Sequence, residues 1–252
     1  MRNVSLWSNR LALDAPCAND VAAIVDACQD PQIPRWTGSI PYPYEEDDAL
    51  EYIEGVVAPG WKSGHELVWA FHIRDEAKHP NEGTLIQVPR DAADQVPGDE
   101  NVGLFAGVVS LSMTSGRIAS MGVWTAQGAR GRGYTAEACR LVLDFAFREP
   151  EASDPKDLPS GLGLSRIEWR AMVGNEASAG LAQRLGFSYE GLSRRALSTV
   201  NGRLLDVWIA GRLAGDTGEA TTWPDRVMPS DQENNDTNPL IDSFASISDI
   251  NS

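Results

Sequence analysis

The sequence predicts one mixed α/β (α+β) domain, with a largely antiparallel first half and a strand–helix–strand centre. Three observations carry this. Short apolar runs of strand type, such as Glu66 to Ile73 and Ile118 to Thr125, are bounded by Gly- and Pro-rich turns. Between such runs lie segments with helical apolar spacing, the clearest running from Gly133 to about Phe147. A glycine loop, Gly128-Ala129-Arg130-Gly131-Arg132-Gly133, joins the strand ending at Thr125 to that helix.

The elements follow in order. Leu11-Ala12-Leu13 reads as a first short strand. Asn19-Asp20 caps a helix from Val21 to Cys28, with Val21, Ile24, Val25 and Cys28 at helical spacing. Pro31, Pro34, Pro41 and Pro43 mark an irregular loop that carries Arg35, Trp36, Tyr42 and Tyr44. A second helix starts near Glu46-Asp47-Asp48, acids that favour a helix N-terminus, and runs to about Val57. Glu66 to Ile73 is a strand. Residues 74–101 form a polar insertion, within which Leu85-Ile86-Gln87-Val88 suits a short strand. Gly103 to Leu111 and Ile118 to Thr125 are the next strands, and the latter delivers the chain to the glycine loop and its helix. A second insertion covers residues 149–163. Leu164 to Val173 is a strand, Asn175 caps the helix Glu176 to Leu185, and Gly186 stops it. Strands around Leu197 to Val200 and Leu204 to Ala210 close a hairpin through Asn201-Gly202, a type I′ signal. The domain is thus expected to span residues 1–215. Residues 216–252 read as a disordered acidic tail, in which Ile241, Phe244 and Ile247 are spaced as a short docking motif.

Bulk properties exclude several classes. Net charge is −15, and the tail supplies −7 of it through eight acids against one Arg. That balance argues against nucleic acid as a partner, because phosphate backbones are held by Lys and Arg. It suits an amine, weakly. No apolar run reaches the ~18 residues of a membrane span, and the first residues lack the apolar core of a signal peptide. No membrane association and a cytoplasmic location are expected. Cys17, Cys28 and Cys139 lack a metal-type or C-x-x-C spacing and read as reduced structural thiols. His65, His72 and His79 recur every seven residues without a ligand cluster, so no metal site is expected.

The glycine loop is the one strong chemical signal. Glycines at 128, 131 and 133 let the backbone turn sharply and approach a ligand closely. The N–H groups of such a loop, feeding a helix start, form an anion site. Alone, the loop says only that phosphate is held there.

Two segments together resemble the GNAT acetyltransferase superfamily. Arg130-Gly131-Arg132-Gly133-Tyr134-Thr135 is similar to its pyrophosphate motif. Asn175-Glu176-Ala177-Ser178, then Leu185-Gly186-Phe187 and Glu190-Gly191, resembles its second cofactor-side segment. Arg35-Trp36-Thr37, Pro41-Tyr42-Pro43-Tyr44, Gly122-Val123-Trp124, Ile167-Glu168-Trp169-Arg170 and Gly202-Arg203-Leu204-Leu205-Asp206 are similar to the branch of ribosomal-protein-alanine N-acetyltransferases. The resemblance covers roughly residues 5–215. Thr135 departs from it, since the branch more often has Ala there; its hydroxyl could bond a phosphate or its β-branch could crowd the loop.

The resemblance implies a twisted, mostly antiparallel sheet with helices on both faces and a splayed central strand pair. It implies acetyl-CoA as co-substrate, with Gly128, Arg130, Gly131, Arg132, Gly133, Tyr134 and Thr135 at the diphosphate. Val123, Trp124 and Thr125 would line the pantetheine arm, with Val123 and Thr125 favoured by register. Asn175 would touch the arm, a role that can coexist with capping the last helix. Ser178 is either the acid that protonates the leaving thiolate or an exposed helix serine. For the base, Glu168 is one candidate, and Glu45, Glu46 and Asp47 are others. Trp36, Tyr42 and Tyr44 either line the acceptor side or staple the core. The acceptor would be a primary amine, whether a protein N-terminus or a small molecule, with a homodimer left open. The alternative is a catalytically silent acyl-CoA-binding sensor.

Overall fold

The computed structural model describes residues 1–74, 103–154 and 159–224, and the backbone alone of 86–89. A single nine-stranded sheet runs in the order β4-β1-β2-β3-β5-β6-β7-β9-β8. Its strands are β1 (Val4–Trp7), β2 (Leu11–Asp14), β3 (Glu66–Ile73), β4 (Ile86–Pro89), β5 (Leu104–Ser115), β6 (Ile118–Thr125), β7 (Arg166–Met172), β8 (Ser188–Ser198) and β9 (Leu204–Leu213). Every neighbouring pair is antiparallel except β6 and β7. The helices are α1 (Val21–Cys28), α2 (Gln32–Thr37), α3 (Glu46–Glu51), α4 (Ala58–Ser63), α5 (Tyr134–Phe147) and α6 (Glu176–Arg184). None is long and apolar enough to cross a membrane.

The core forms on both faces of β3, whose residues Leu67 to His72 are all buried. Such a strand reads as a continuous apolar run rather than an alternating one. Trp69 stands edge-on to Trp61 of α4 and Phe145 of α5, at 4.9 and 6.1 Å between ring centres. Gly107 marks a bulge in β5 opposite β3. Its φ is +150°, and an added Cβ would sit 2.3 Å from the Trp124 carbonyl oxygen, so only glycine lets β6 approach here.

Several boundaries differ from the sequence reading, each for a physical reason. β1 was not expected: its Ser5 is buried and bonded to Asp14, which breaks the alternation that marks a strand. The proline loop contains α2, with Pro31 at the cap and Pro34 in the first turn, where a helix requires no N–H donor. The helix begun at Glu46 continues through a π-helical segment (Tyr52–Val57) into α4, with Pro59 admitted in its first turn. Asp20 does not cap α1 with its side chain. It turns inward, accepting from the Cys17 N–H at 2.9 Å and pairing with His72 Nε2 at 2.8 Å.

The β8–β9 hairpin is longer than expected, and its turn is not type I′. Thr199 accepts from the Gly202 N–H at 2.8 Å and donates to the Arg203 carbonyl at 2.9 Å. Only Gly202 takes a positive φ, +73°, so three residues form a turn closed by a left-handed glycine. The packed chain also continues past 215. Trp223 is buried and donates to the Phe187 carbonyl at 2.9 Å, and Thr221 N–H reaches Gln183 O at 3.0 Å. Gly186, which stops α6, leaves room for Gly218: an added Cβ would lie 2.8 Å from its Cα. Most of the first insertion, residues 155–158 of the second, and the tail from 225 with Ile241, Phe244 and Ile247 lie outside the described residues.

Candidate active site

The site begins where the sheet opens. β6 and β7 pair from Ile118 and Arg166 as far as Met121 and Trp169, while the strands continue to Thr125 and Met172. Past that point they diverge, as expected of a splayed central pair. Ala126 N–H bonds the Ala106 carbonyl across β5. Backbone groups alternate along a strand, so the N–H groups of Thr125 and Val123 face the gap instead. A cleft of about 880 Å³ runs through the gap from one face of the sheet to the other.

On the first face, the glycine loop meets the start of α5. Gly131 and Gly133 have φ of +75° and +80°, and no side chain caps the helix. The N–H groups of its first turn therefore have no partner within the helix, the requirement of an anion site. Arg130, Gly131, Gly133 and Thr135 line the cleft. The Thr135 hydroxyl bonds that of Thr125 at 2.7 Å, tying helix start to strand end. Arg130 is similarly engaged: it donates twice to the Thr125 carbonyl at 3.1 and 2.9 Å. Its Nη2 also lies 2.6 Å from Asp30 Oδ2, out of hydrogen-bond alignment. Gly128, Arg132 and Tyr134 do not line the cleft. Tyr134 lies under the Arg10 guanidinium at 5.0 Å, and Arg10 holds Glu137, so the β1–β2 corner braces α5.

Ser178 and Asn175 line the cleft at the head of α6. Asn175 Oδ1 caps the helix by accepting from the Ser178 N–H at 3.1 Å, and it lines the cleft as well. Trp169, buried on β7, donates its indole N–H to Ser178 Oγ at 3.0 Å. An indole only donates. Ser178 must accept there, which leaves its own proton free to point into the cleft.

On the second face the walls are α1, α2 and the chain beyond them. Trp36 lines the cleft, its indole on Gln32 Oε1 at 3.2 Å. Tyr44 lines it too, although only 7% exposed, and burial pushes its hydroxyl well above the ordinary tyrosine range. Tyr42 is exposed and does not line the cleft. Glu168 also lies outside it: Arg166 holds it at 3.3 Å and binds Glu190 on its other side. Nor do Glu45, Glu46 or Asp47 reach the cleft; Asp48 and Glu45 form the cap of α3.

Two charged lining residues carried no sequence signal. Arg184, at the end of α6, adds a cation on the glycine-loop face. Glu66, at the start of β3, is the one carboxylate among the described residues lining the cleft. It looked like the polar edge of a strand, and only the pairing of β3 with β5 brings it near the gap.

The family described as "Acetyltransferase (GNAT) domain" matches residues 10–188. YdaF of Bacillus subtilis (strain 168), provisionally named a ribosomal N-acetyltransferase, is 35% identical over 102 residues, 40% of this chain. The chain thus spans about half of that relative, 49% of its length. Among solved structures, RimJ of Mycobacterium smegmatis, in complex with CoA-disulfide, superposes with a TM-score of 0.61 at 18% identity, covering 87% of this chain and 93% of that one. RimL, a ribosomal L7/L12 alpha-N-protein acetyltransferase in complex with coenzyme A, gives 0.57 at 18% identity, covering 82% and 95%.

Proposed function

The chain belongs to the GNAT acetyltransferase family, and we propose that it transfers the acetyl group of acetyl-CoA to a primary amine by direct attack. The observation that carries this reading is the cleft through the splayed sheet. One of its mouths offers uncapped N–H groups and arginines to a diphosphate, and the other offers aromatic walls to an acceptor. Ser178 stands between them. The open-side N–H of Val123 takes up charge developing on the thioester oxygen. The Ser178 hydroxyl donates its proton to the sulfur as the carbon–sulfur bond breaks and regains one from water, while the attacking nitrogen gives up its proton to water.

The loop fits the co-substrate on the observation of its φ angles: at Gly131 an added side chain would meet nothing within 4 Å, so glycine is there for conformation and access. Within this reading Arg130 leaves its Thr125 and Asp30 contacts to reach phosphate. The acceptor is a protein N-terminus or a small amine. YdaF and RimL, named for acting on ribosomal proteins, support the former.

The test is thiol release from acetyl-CoA with a panel of N-terminal peptides and alkylamines, beside calorimetric binding of coenzyme A. Binding with amine-dependent release is expected. Binding without release for any acceptor would make the chain an acyl-CoA-binding module instead.

A further inference from the structure

The acceptor arm of the cleft does not end at the gap. It continues beneath α1 to the edge of β3, where Glu66, Tyr44, Tyr52, Cys28 and Ser110 meet. Tyr52 feels the charge of Glu66 and lies beside Tyr44 and Cys28, so these groups form one cluster. Ser110 faces the same space and would touch a side chain added at Gly122, at 3.0 Å.

The polar groups of this cluster are unspent. Among the described residues, no hydrogen bond or ion pair engages the Glu66 carboxylate or the hydroxyls of Tyr44, Tyr52 and Ser110. Tyr44 is more than nine-tenths buried and still opens onto the cleft. The polar atoms of the cluster are open to the cleft and can take a partner that enters it. A carboxylate with two phenol rings beside it, in an otherwise apolar recess, is a set suited to an alkylammonium.

Sheet geometry sets the span. Glu66 pairs with Ser112 on β5, and Ser112 with Ser120 on β6. Val123 lies three residues further along β6, about 10 Å, and two strand spacings across, about another 10 Å. The Glu66 side chain recovers part of that diagonal, leaving roughly 10 Å between its carboxylate and a nitrogen attacking near Val123.

Resting on the transferase reading above, we propose that this recess binds a second, distal ammonium of the acceptor, so that the preferred substrate carries two cationic amines about 10 Å apart. A linear diamine or polyamine has that chemistry. So does a peptide N-terminus followed closely by lysine.

The experiment compares kcat/KM for hexamethylenediamine with that for hexylamine, and for an Ala-Lys peptide with its Ala-norleucine counterpart. Wild-type protein should prefer the dicationic member of at least one pair by roughly tenfold to a hundredfold, the range of hydrogen bonds to a charged group. The favoured pair identifies the source of the ammonium. Glu66→Gln should erase that preference through KM, leaving the monocationic acceptor and acetyl-CoA binding unchanged. Tyr52→Phe, which keeps the ring, should reduce it less. Equal use of both members by the wild type, or a preference that survives Glu66→Gln, overturns the assignment while the transferase reading stands. No release with any acceptor overturns both.

Discussion

Replacing Ser178 by Ala removes two interactions with separable consequences. One is structural. The Trp169 indole N–H loses its acceptor, a 3.0 Å bond on a ring only 2% exposed. Stranding a buried donor costs about 1–3 kcal/mol. Ser178 lines an open cleft, so water can replace its oxygen, and the cost should fall at the low end, about 1 kcal/mol. For a domain of this size that lowers Tm by roughly 2–4 °C. The other consequence is chemical. Loss of a positioned acid lowers kcat by about 10²- to 10⁴-fold, with acetyl-CoA affinity nearly unchanged because Asn175 and the glycine loop are untouched. The defect should also depend on pH. A thiol of ordinary pKa, about 8.5, leaves as a stable thiolate in alkali, so the deficit should shrink above that pH. The assay is thiol release from acetyl-CoA across pH, at a temperature below both melting points. A variant within twofold of wild type at neutral pH, or a deficit constant with pH, refutes the acid role of Ser178. A melting shift alone would show that the serine serves only Trp169.

Three further outcomes follow from the same structure. Gly133→Val should abolish coenzyme A binding by calorimetry: it forces a β-branched residue to φ +80°, a conformation it adopts only with strain, and so displaces the loop that aims the uncapped N–H groups of α5. Trp223→Ala should cost about 3–5 kcal/mol in denaturant unfolding, the range for emptying a buried tryptophan site, and ending the chain at Gly215 should cost at least as much. Arg166 holds the Glu190 carboxyl below the ordinary carboxylate range by hydrogen bonding. The folded pKa is depressed, so this pair contributes stability that is present above the unfolded carboxylate pKa and lost as pH falls through the folded value. Glu190→Gln should therefore flatten the acid limb of the stability–pH profile and leave neutral-pH turnover intact.

How far the sequence could be read depended on which interactions were local. Helices α1 and α5 and strands β3 and β6 were legible because their signals, apolar period and bounding glycines, lie within one window. The Asn175 cap was legible for the same reason: cap and capped N–H are three residues apart. The proline loop misled because Pro34 reads as a breaker unless one knows it sits in a first turn. The turn after Thr199 misled because Asn201-Gly202 fits two loop lengths, and cross-strand register chooses between them. The tail boundary misled because one apolar residue, Trp223, is too weak a pattern to mark packing among acids and glycines.

The site shows the same division more sharply. The glycine loop is a local device and could be identified from its residues, but what holds it could not. Thr135, the position that departed from the family pattern, finds its partner in Thr125 across the turn, and Arg130 folds back onto that residue's carbonyl and toward Asp30. The carboxylates show the opposite error. Glu168, on the strand beside the groove, and the Glu45 to Asp47 run, in the aromatic loop, were candidates for the base, with a capping or solvated role as the alternative for each. Arg166 claims the first, and the others sit at the head of α3, away from the cleft. Glu66 reaches the cleft because two antiparallel pairings place the start of β3 level with Ser120 on β6. Residues that position a cofactor loop can be close in sequence, because the loop is one turn long. Residues that read an acceptor come from separate strands and helices, and their convergence is a property of the sheet.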